Sequence, residues 1–298
     1  MRFFGRIHQV YLHERMIAIR SYGRLLYFYF QTSQMNLFKR YLYEGIYIDL
    51  EYNENKILLK KKRQAFVIDY VLQLFSVFSY KKVYYYDQHQ INTSLSTFLA
   101  SLGTIMFLDL EMTMPPYHYS KKDFQAEIIQ VGYLLTDATG EEMTRYSQYI
   151  RPVLHRHLNT RVQKFLKLDD ETFRLQAIDY HVFYDDFKEV LELYHPTVVV
   201  YGKNDSISLN HSFRIHRVAS LQPLMRFVNL AKLIQNFYHL KSEAGLFKMY
   251  QIYYQDPSIQ KHDAFNDSEV TKKVFQAFVK EVNHYTDYYD VVRQELEG

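Results

Sequence analysis

Thr104-Ile105-Met106-Phe107-Leu108-Asp109-Leu110-Glu111 opens as a continuous apolar run and closes on two carboxylates. A run of this kind fits a strand covered on both faces. Residues i and i+2 of a strand face the same side, so Asp109 and Glu111 project together. Two adjacent carboxylates repel, a cost that a divalent cation removes. Taken alone the pair reads equally as a solvated strand end, since D-x-E arises about once by chance in a chain of this size and ordinary usage.

Downstream, the pattern predicts strands over Ile128 to Thr136 and Tyr146 to Ile150, separated by the turn Asp137-Ala138-Thr139-Gly140. Phe183, Phe187, Val190, Leu191 and Tyr194 give helical spacing over 172–194, with Pro196 as its stop. Thr197 to Tyr201 is a second buried strand, and 206–218, 229–239, 243–253 and 266–283 read as helices. The mixture is that of an α/β domain.

Upstream the pattern is different. Arg6 to Leu12, Met16 to Arg20, Leu25 to Phe30, Gly45 to Tyr52 and Lys56 to Val71 are strand-like and rich in Tyr, Phe, Ile and Val. Five short strands within about 70 residues predict a small all-β barrel. Val71 to Phe78 fits either an extension of the last strand or a helix. The expected organisation is a barrel at 1–78, a connection at 79–103 containing the polar run Gln88 to Ser94, an α/β domain at 104–284, and a tail or helix end at 285–298.

Composition narrows the chemistry. The chain has 298 residues, 36 Lys+Arg, 33 Asp+Glu and no Cys. Disulfides, thiolate nucleophiles and Cys-ligated zinc are therefore excluded. The net charge of +3 hides an asymmetry: residues 1–103 carry 14 basic and 7 acidic side chains, and the remainder 22 and 26. No stretch approaches the ~18 apolar residues of a membrane span. The opening residues lack the apolar core of a secretory leader, so a soluble, cytoplasmic protein without a membrane partner is expected.

Two further acidic positions stand beside buried elements. Thr197 to Tyr201 leads through Gly202-Lys203-Asn204 to Asp205, which reads as a helix N-cap or as a functional carboxylate at the mouth of a strand. Lys261-His262-Asp263-Ala264-Phe265-Asn266-Asp267 opens the last long helix. His262 and Asp267 converge if the first lies in the loop and the second in the helix. Asp109, Glu111, Asp205 and Asp267 together offer four hard oxygen ligands, a set suited to Mg²⁺ or Mn²⁺. Two such ions about 4 Å apart stabilise both oxygens of an in-line phosphodiester displacement. His262 is then the general base for the attacking water.

These motifs resemble the DEDDh 3′→5′ exonucleases. Asp109-x-Glu111 with Glu127-Ile128-Ile129-Gln130-Val131-Gly132 is similar to the first motif of that family and the strand after it, Asp205 to the second motif, and His262 with Asp267 to the third. The resemblance covers roughly 104–283 and implies an RNase H-like fold, two divalent ions and removal of nucleotides from a free 3′ end. Leu158 to Pro196 and Tyr201-Gly202 look most like the branch that trims RNA. Asn229 departs from that branch, which often carries Asp there, and this bears on local substrate contacts.

The barrel resembles OB and cold-shock domains. Leu25 to Phe30 is similar to their base-stacking strand, with Tyr27, Tyr29 and Phe30 on the stacking face, and Phe38 to Glu51 to their later loop and fourth strand. Arg24, Lys39 and Arg40, with Arg6, Arg15 and Arg20, would follow phosphates. Lys60-Lys61-Lys62-Arg63 fits a solvated hairpin or a nucleic-acid contact, and His155-Arg156-His157 a surface loop. The expected protein is an RNase H-like α/β exonuclease domain with a mixed sheet, preceded by an OB-like barrel. It would hydrolyse single-stranded nucleic acid with a free 3′ end, RNA favoured, to nucleoside 5′-monophosphates. The alternatives are a single-stranded DNA exonuclease of repair or proofreading and a non-catalytic nucleic-acid-binding or docking protein.

Overall fold

The structure is a computed structural model that describes residues 1–117, 124–257, 262–283 and 288–297. Lys261, which opens the third motif, lies outside the described residues. The chain divides into two compact units, Met1–Leu95 and Ser96–Gly298.

In the first unit β1 (Arg2–Tyr11), β2 (Met16–Ser21), β3 (Arg24–Tyr29), β4 (Tyr47–Lys60), β5 (Arg63–Phe78) and β6 (Lys81–Asp87) form one sheet in the order β3-β2-β1-β4-β5-β6. A parallel pairing of β3 with β5, Tyr27 to Ala65 and Tyr29 to Val67, closes the first five strands into a barrel. Helix α1 (Thr32–Phe38) lies between β3 and β4 in sequence and contributes Met35 and Phe38 to the core. Register shifts in β1 and β4 supply the bends that a barrel of this size needs. Alternation sets the inside: Ile17, Ile19, Phe28, Ile48, Leu50 and Ile68 pack together.

Two expectations for this unit are corrected. Lys56 to Val71 is not one strand: the chain reverses at Lys61-Lys62, where φ is +44° and +66°. Both residues adopt the left-handed conformation of a two-residue hairpin turn without the Asn or Gly that usually marks one. The connection at 79–103 is folded, because β6 pairs with β5 and Gln88–Ala100 forms helix α2. Its polar run makes the first two turns of that helix and is largely exposed. Val71 to Phe78 continues β5.

The second unit is built on a five-stranded mixed sheet. Its strands are β7 (Ile105–Met112), β8 (Ile128–Thr136), β9 (Glu142–Tyr149), β10 (Thr197–Val200) and β11 (Arg226–Asn229), in the order β11-β10-β7-β8-β9. β7, β10 and β11 run parallel, while β8 and β9 are antiparallel to their neighbours. Around it lie α3 (Thr160–Leu166), α4 (Asp170–Gln176), α5 (Tyr180–Tyr194), α6 (Asn204–Ile215), α7 (Leu230–Phe237), α8 (Leu246–Tyr254), α9 (Ala264–Val282) and α10 (Tyr289–Glu297). The helix expected over 172–194 is two helices. Asp179 caps α5 by accepting the His181 N–H, and Ile178 just before it bridges to Ile150. Strand β11 has only four residues, too few for a periodic signal. Among the described residues no helix is long and apolar enough to cross a membrane.

Candidate active site

Strand β7 carries Asp109 and Glu111, and across the antiparallel pairing they face Gly132 and Gln130 of β8. Gly132 lets the first turn of α9 lie directly on the sheet: a Cβ there would stand 2.2 Å from the backbone of Ala264 and Phe265. That close approach brings Asp267 to β7. Ligand oxygens of Asp109, Glu111 and Asp267 all lie within 4.8 Å of one another.

Asp205 stands outside that set but is electrostatically joined to it. It occupies the first turn of α6, whose N-cap is Lys203, so the N-cap reading of Asp205 does not hold. Its buried carboxylate accepts from its own N–H and from that of Leu110 on β7. Burial is the main reason its pKa is pushed up to about 7, with Asp267 adding to the rise and the two N–H donors opposing it. Burial likewise pushes Glu111 up to about 8, helped by Asp267, Asp205 and Asp263. Asp109 is raised well above the usual carboxylate range by burial and then by Asp205, Asp267, Glu111 and Asp263. The four charges named in that rise are all carboxylates. A cluster of hard oxygens held together against its own repulsion fits divalent cations of the Mg²⁺ class.

His262 lies in the loop before α9 with φ +54°, and Asp267 is within the helix, the arrangement their spacing requires for convergence. The imidazole packs on the ring of Phe165 in α3, with centroids 4.1 Å apart. The turn after His262 is fixed by two residues that motif reading passes over. Asp263 caps α9 through the Asn266 N–H at 2.9 Å and accepts from Gln130 Nε2 at 2.7 Å. Gln130 Oε1 in turn accepts the Ala264 N–H. Gln130 was legible only as part of the strand after the first motif, and Asp263 and Phe165 carried no signal.

Four other motif residues have structural roles. Asn229 caps α7 by accepting the Lys232 N–H, and the same Oδ1 accepts the Gly202 N–H, holding the turn before α6. Buried Glu127 accepts the N–H groups of Val153, Leu154 and His155. His155 and His157 belong to that surface loop, His157 bonding Asp170 at 2.7 Å.

With this geometry in place the comparisons can be read. Residues 106–275 match the Exonuclease family, RNase_T. The chain belongs to that family. Membership places it among the DEDDh 3′→5′ exonucleases and makes it a phosphodiester hydrolase, in line with the motifs. The probable 3′-5′ exonuclease KapD of Bacillus subtilis (strain 168) is 25% identical over 179 residues, 58% of this chain and 83% of KapD. Among solved structures, the nuclease domain of 3′hExo, a DEDDh family member, bound to rAMP superposes with a TM-score of 0.54 at 19% identity, covering 62% of this chain and 94% of that one. A 3′-exonuclease recognising the histone mRNA stem-loop gives 0.54 at 18% identity; the match spans 62% of this chain but only 65% of that one. The match to cell-death related nuclease 4 scores 0.51 at 20% identity and covers 60% of this chain and 64% of that one. An RNase H-like fold for the mixed-sheet domain is thereby shown.

In the barrel, Phe30 is corrected as a stacking residue. Neighbouring residues of a strand face opposite sides, so Phe30 turns inward with Phe28 and is fully buried against Phe38. Tyr27 and Tyr29 lie on the other side of the strand, in a second apolar cluster with Met16, Ala65 and Val67, and there Tyr29 is corrected as well: it is buried, while Tyr27 is half-buried. The cations over these rings come from the β1–β2 turn and the Lys60–Arg63 hairpin. Arg15 and Lys60 lie over the Tyr29 ring at 5.1 and 5.4 Å, and Arg63 over Tyr27 and Tyr11 at 5.5 and 4.5 Å. Arg24, Lys39 and Arg40 are exposed, Arg40 lying over Tyr41 at 4.6 Å.

Proposed function

We propose that this protein removes nucleoside 5′-monophosphates from the free 3′ end of single-stranded nucleic acid, with RNA favoured. The observation that carries the reading is the carboxylate set of Asp109, Glu111 and Asp267 with Asp205 beside it. Asp109, Glu111, Asp205 and Asp267 would hold two Mg²⁺ or Mn²⁺ ions. When bound, these ions neutralise the scissile phosphate and stabilise the attacking and leaving oxygens. His262 takes the proton of the attacking water on a ring nitrogen, with Phe165 behind the ring and Asp263 holding the turn that presents it. The preference for RNA is supported by the resemblance of the stretch from Leu158 to Pro196 to the RNA-trimming branch, and by the rAMP and the mRNA stem-loop named with two structural relatives.

The barrel is read as OB-type. The closure β1-β2-β3-β5-β4, the parallel β3–β5 contact and the helix between β3 and β4 support this assignment. Half-buried Tyr27, with Arg63 over its ring, lies on the β2–β3 face, and Arg15 and Lys60 cover the buried Tyr29 next to it. Such faces grip single strands, each stacked base contributing about 1–3 kcal/mol. Arg24, Lys39 and Arg40 would extend the contact to phosphates. A cytoplasmic location fits the cysteine-free chain.

Labelled single-stranded RNA and DNA 20-mers, incubated with Mg²⁺ or Mn²⁺, test the proposal. Stepwise shortening from the 3′ end is expected, faster on RNA. Asp109→Ala is expected to lose at least about 10³-fold, the scale on which transition-state charge stabilisation is lost. No shortening of either strand by the unsubstituted protein would refute the proposal.

A further inference from the structure

The second unit bears a cleft of about 730 Å³ lined by Arg151, Pro152, Val153, Arg156, Arg174 and Leu175. Three guanidinium groups from separate positions, two on the loop after β9 and one on α4, converge on it. Glu171 and Asp179 also line it, but the Asp179 carboxylate is committed to capping α5. His157 is bonded to Asp170. Among the described residues no salt bridge engages Arg156 or Arg174, and Arg174 acts only through space on the Asp170 carboxylate one helical turn before it. Val153 and Leu175 are both exposed, so apolar surface stands beside the charge.

The cleft is held in shape from within. Glu127 binds the N–H groups of Val153, Leu154 and His155, and Arg151 donates to the Ala177 carbonyl at 2.9 Å. Glu127 also exchanges two hydrogen bonds with Thr113, two residues past Glu111 on the same chain. Loop and carboxylate strand are therefore one bonded assembly. The steps between them, two strand residues, one strand spacing and one side chain, sum to at most about 20 Å.

From these observations we infer that the Arg151–Arg156–Arg174 cleft binds backbone phosphates of the nucleic-acid strand upstream of the 3′ end being cut. The inference rests on the exonuclease reading. Guanidinium forks match phosphate oxygens, and the exposed apolar side chains suit a sugar or base face, whereas an acidic peptide would gain little from the latter. The cleft supplies grip and alignment of the strand and takes no part in bond breaking.

The test uses the full chain carrying Arg156→Ala and Arg174→Ala together. Binding of a fluorescent single-stranded 20-mer is followed by anisotropy across a salt series without divalent cation, so the readout is independent of hydrolysis. Losing two phosphate contacts should reduce the slope of log K against log salt by about 1.4, at ~0.7 per single-strand contact. Affinity should fall about 25-fold at 0.1 M salt by the same exponent. Lysine at both positions should restore most of the slope. Hydrolysis of a nucleoside 5′-phosphate p-nitrophenyl ester, which has no upstream chain, should stay unchanged while KM for the 20-mer rises. An unchanged slope overturns the assignment, as does an equal loss on the ester. Failure of the unsubstituted protein to hydrolyse either substrate would refute the exonuclease reading and leave the salt slope to decide the cleft.

Discussion

Gly132 is the residue on which the geometry of the carboxylate set turns. Any Cβ at this position meets backbone rather than a movable side chain, so α9 must shift away from β7. Gly132→Ala should cost about 1–3 kcal/mol of stability by overpacking. It should also abolish the thermal shift that Mn²⁺ gives the parent protein, because Asp267 is carried outward with the helix. Melting with and without Mn²⁺ measures both, and a retained Mn²⁺ shift would contradict the role given to Gly132. The same cluster makes a prediction about pH. Unfolded, Asp and Glu titrate near 4, whereas in the folded chain Asp205 is pushed up to about 7 and Glu111 to about 8. Between these limits the folded state holds more protons than the unfolded state, so this contribution is complete below about pH 4 and lost as pH rises through the folded values. His216, lowered by burial against Tyr180, acts in the opposite sense below its unperturbed value near 6.5. The melting temperature in EDTA should therefore fall from pH 6.5 to 8. Glu111→Gln should flatten that fall, and excess Mn²⁺ should remove it. A flat profile in EDTA would refute the electrostatic account.

At the level of elements, what could be read from sequence was what local pattern encodes. The apolar run into Asp109-x-Glu111 gave β7 and its paired carboxylates because alternation and hydrophobicity are both local. The β4–β5 boundary was hidden because Lys61 and Lys62 adopt left-handed conformations without a turn residue to announce them. The break between α4 and α5 depends on a bridge from Ile178 to Ile150, a contact 28 positions away that no window contains. For the same reason Gln130, Asp263 and Phe165 stayed invisible: their work is done across elements. The hairpins offer a test of this account. Ser79 and Tyr80 link β5 to β6 at φ +44° and +66°, and Tyr80 is fully exposed, so replacing both removes little packing. Left-handed residues with a Cβ cost roughly 1–2 kcal/mol each, partly offset by glycine's own entropy. Ser79→Asn with Tyr80→Gly should therefore stabilise the barrel by about 1 kcal/mol, read as a higher melting temperature. A lower one would show that the turn is not the two-residue type described.

Across the whole chain, charge and core divide at the same place. Residues 1–95 hold 14 basic and 7 acidic side chains around a core from Ile7 to Leu74, and the rest hold 22 and 26 around the mixed sheet. Each unit thus has its own hydrophobic interior, and the negative unit contains the carboxylates while the positive one carries the tyrosine face. If the first unit grips the strand, a chain of residues 96–298 should keep its hydrolysis of a p-nitrophenyl nucleotide ester, which needs only the carboxylates and His262. Its KM for a single-stranded 20-mer should rise at least about fivefold, the loss of one or two stacked bases at 1–3 kcal/mol each. The salt dependence of binding should flatten as the basic side chains are removed. Truncation can also disturb folding, so the full chain with Tyr27→Ala and Arg63→Ala provides a second arm. That variant should raise KM in the same direction, with kcat on the ester preserved. Because Phe30 is sealed in the core, its replacement should instead lower the melting temperature, which separates loss of grip from loss of barrel. Equal KM values for the truncated, doubly substituted and parent chains would remove the barrel from substrate binding and leave the second unit to hold the strand by itself.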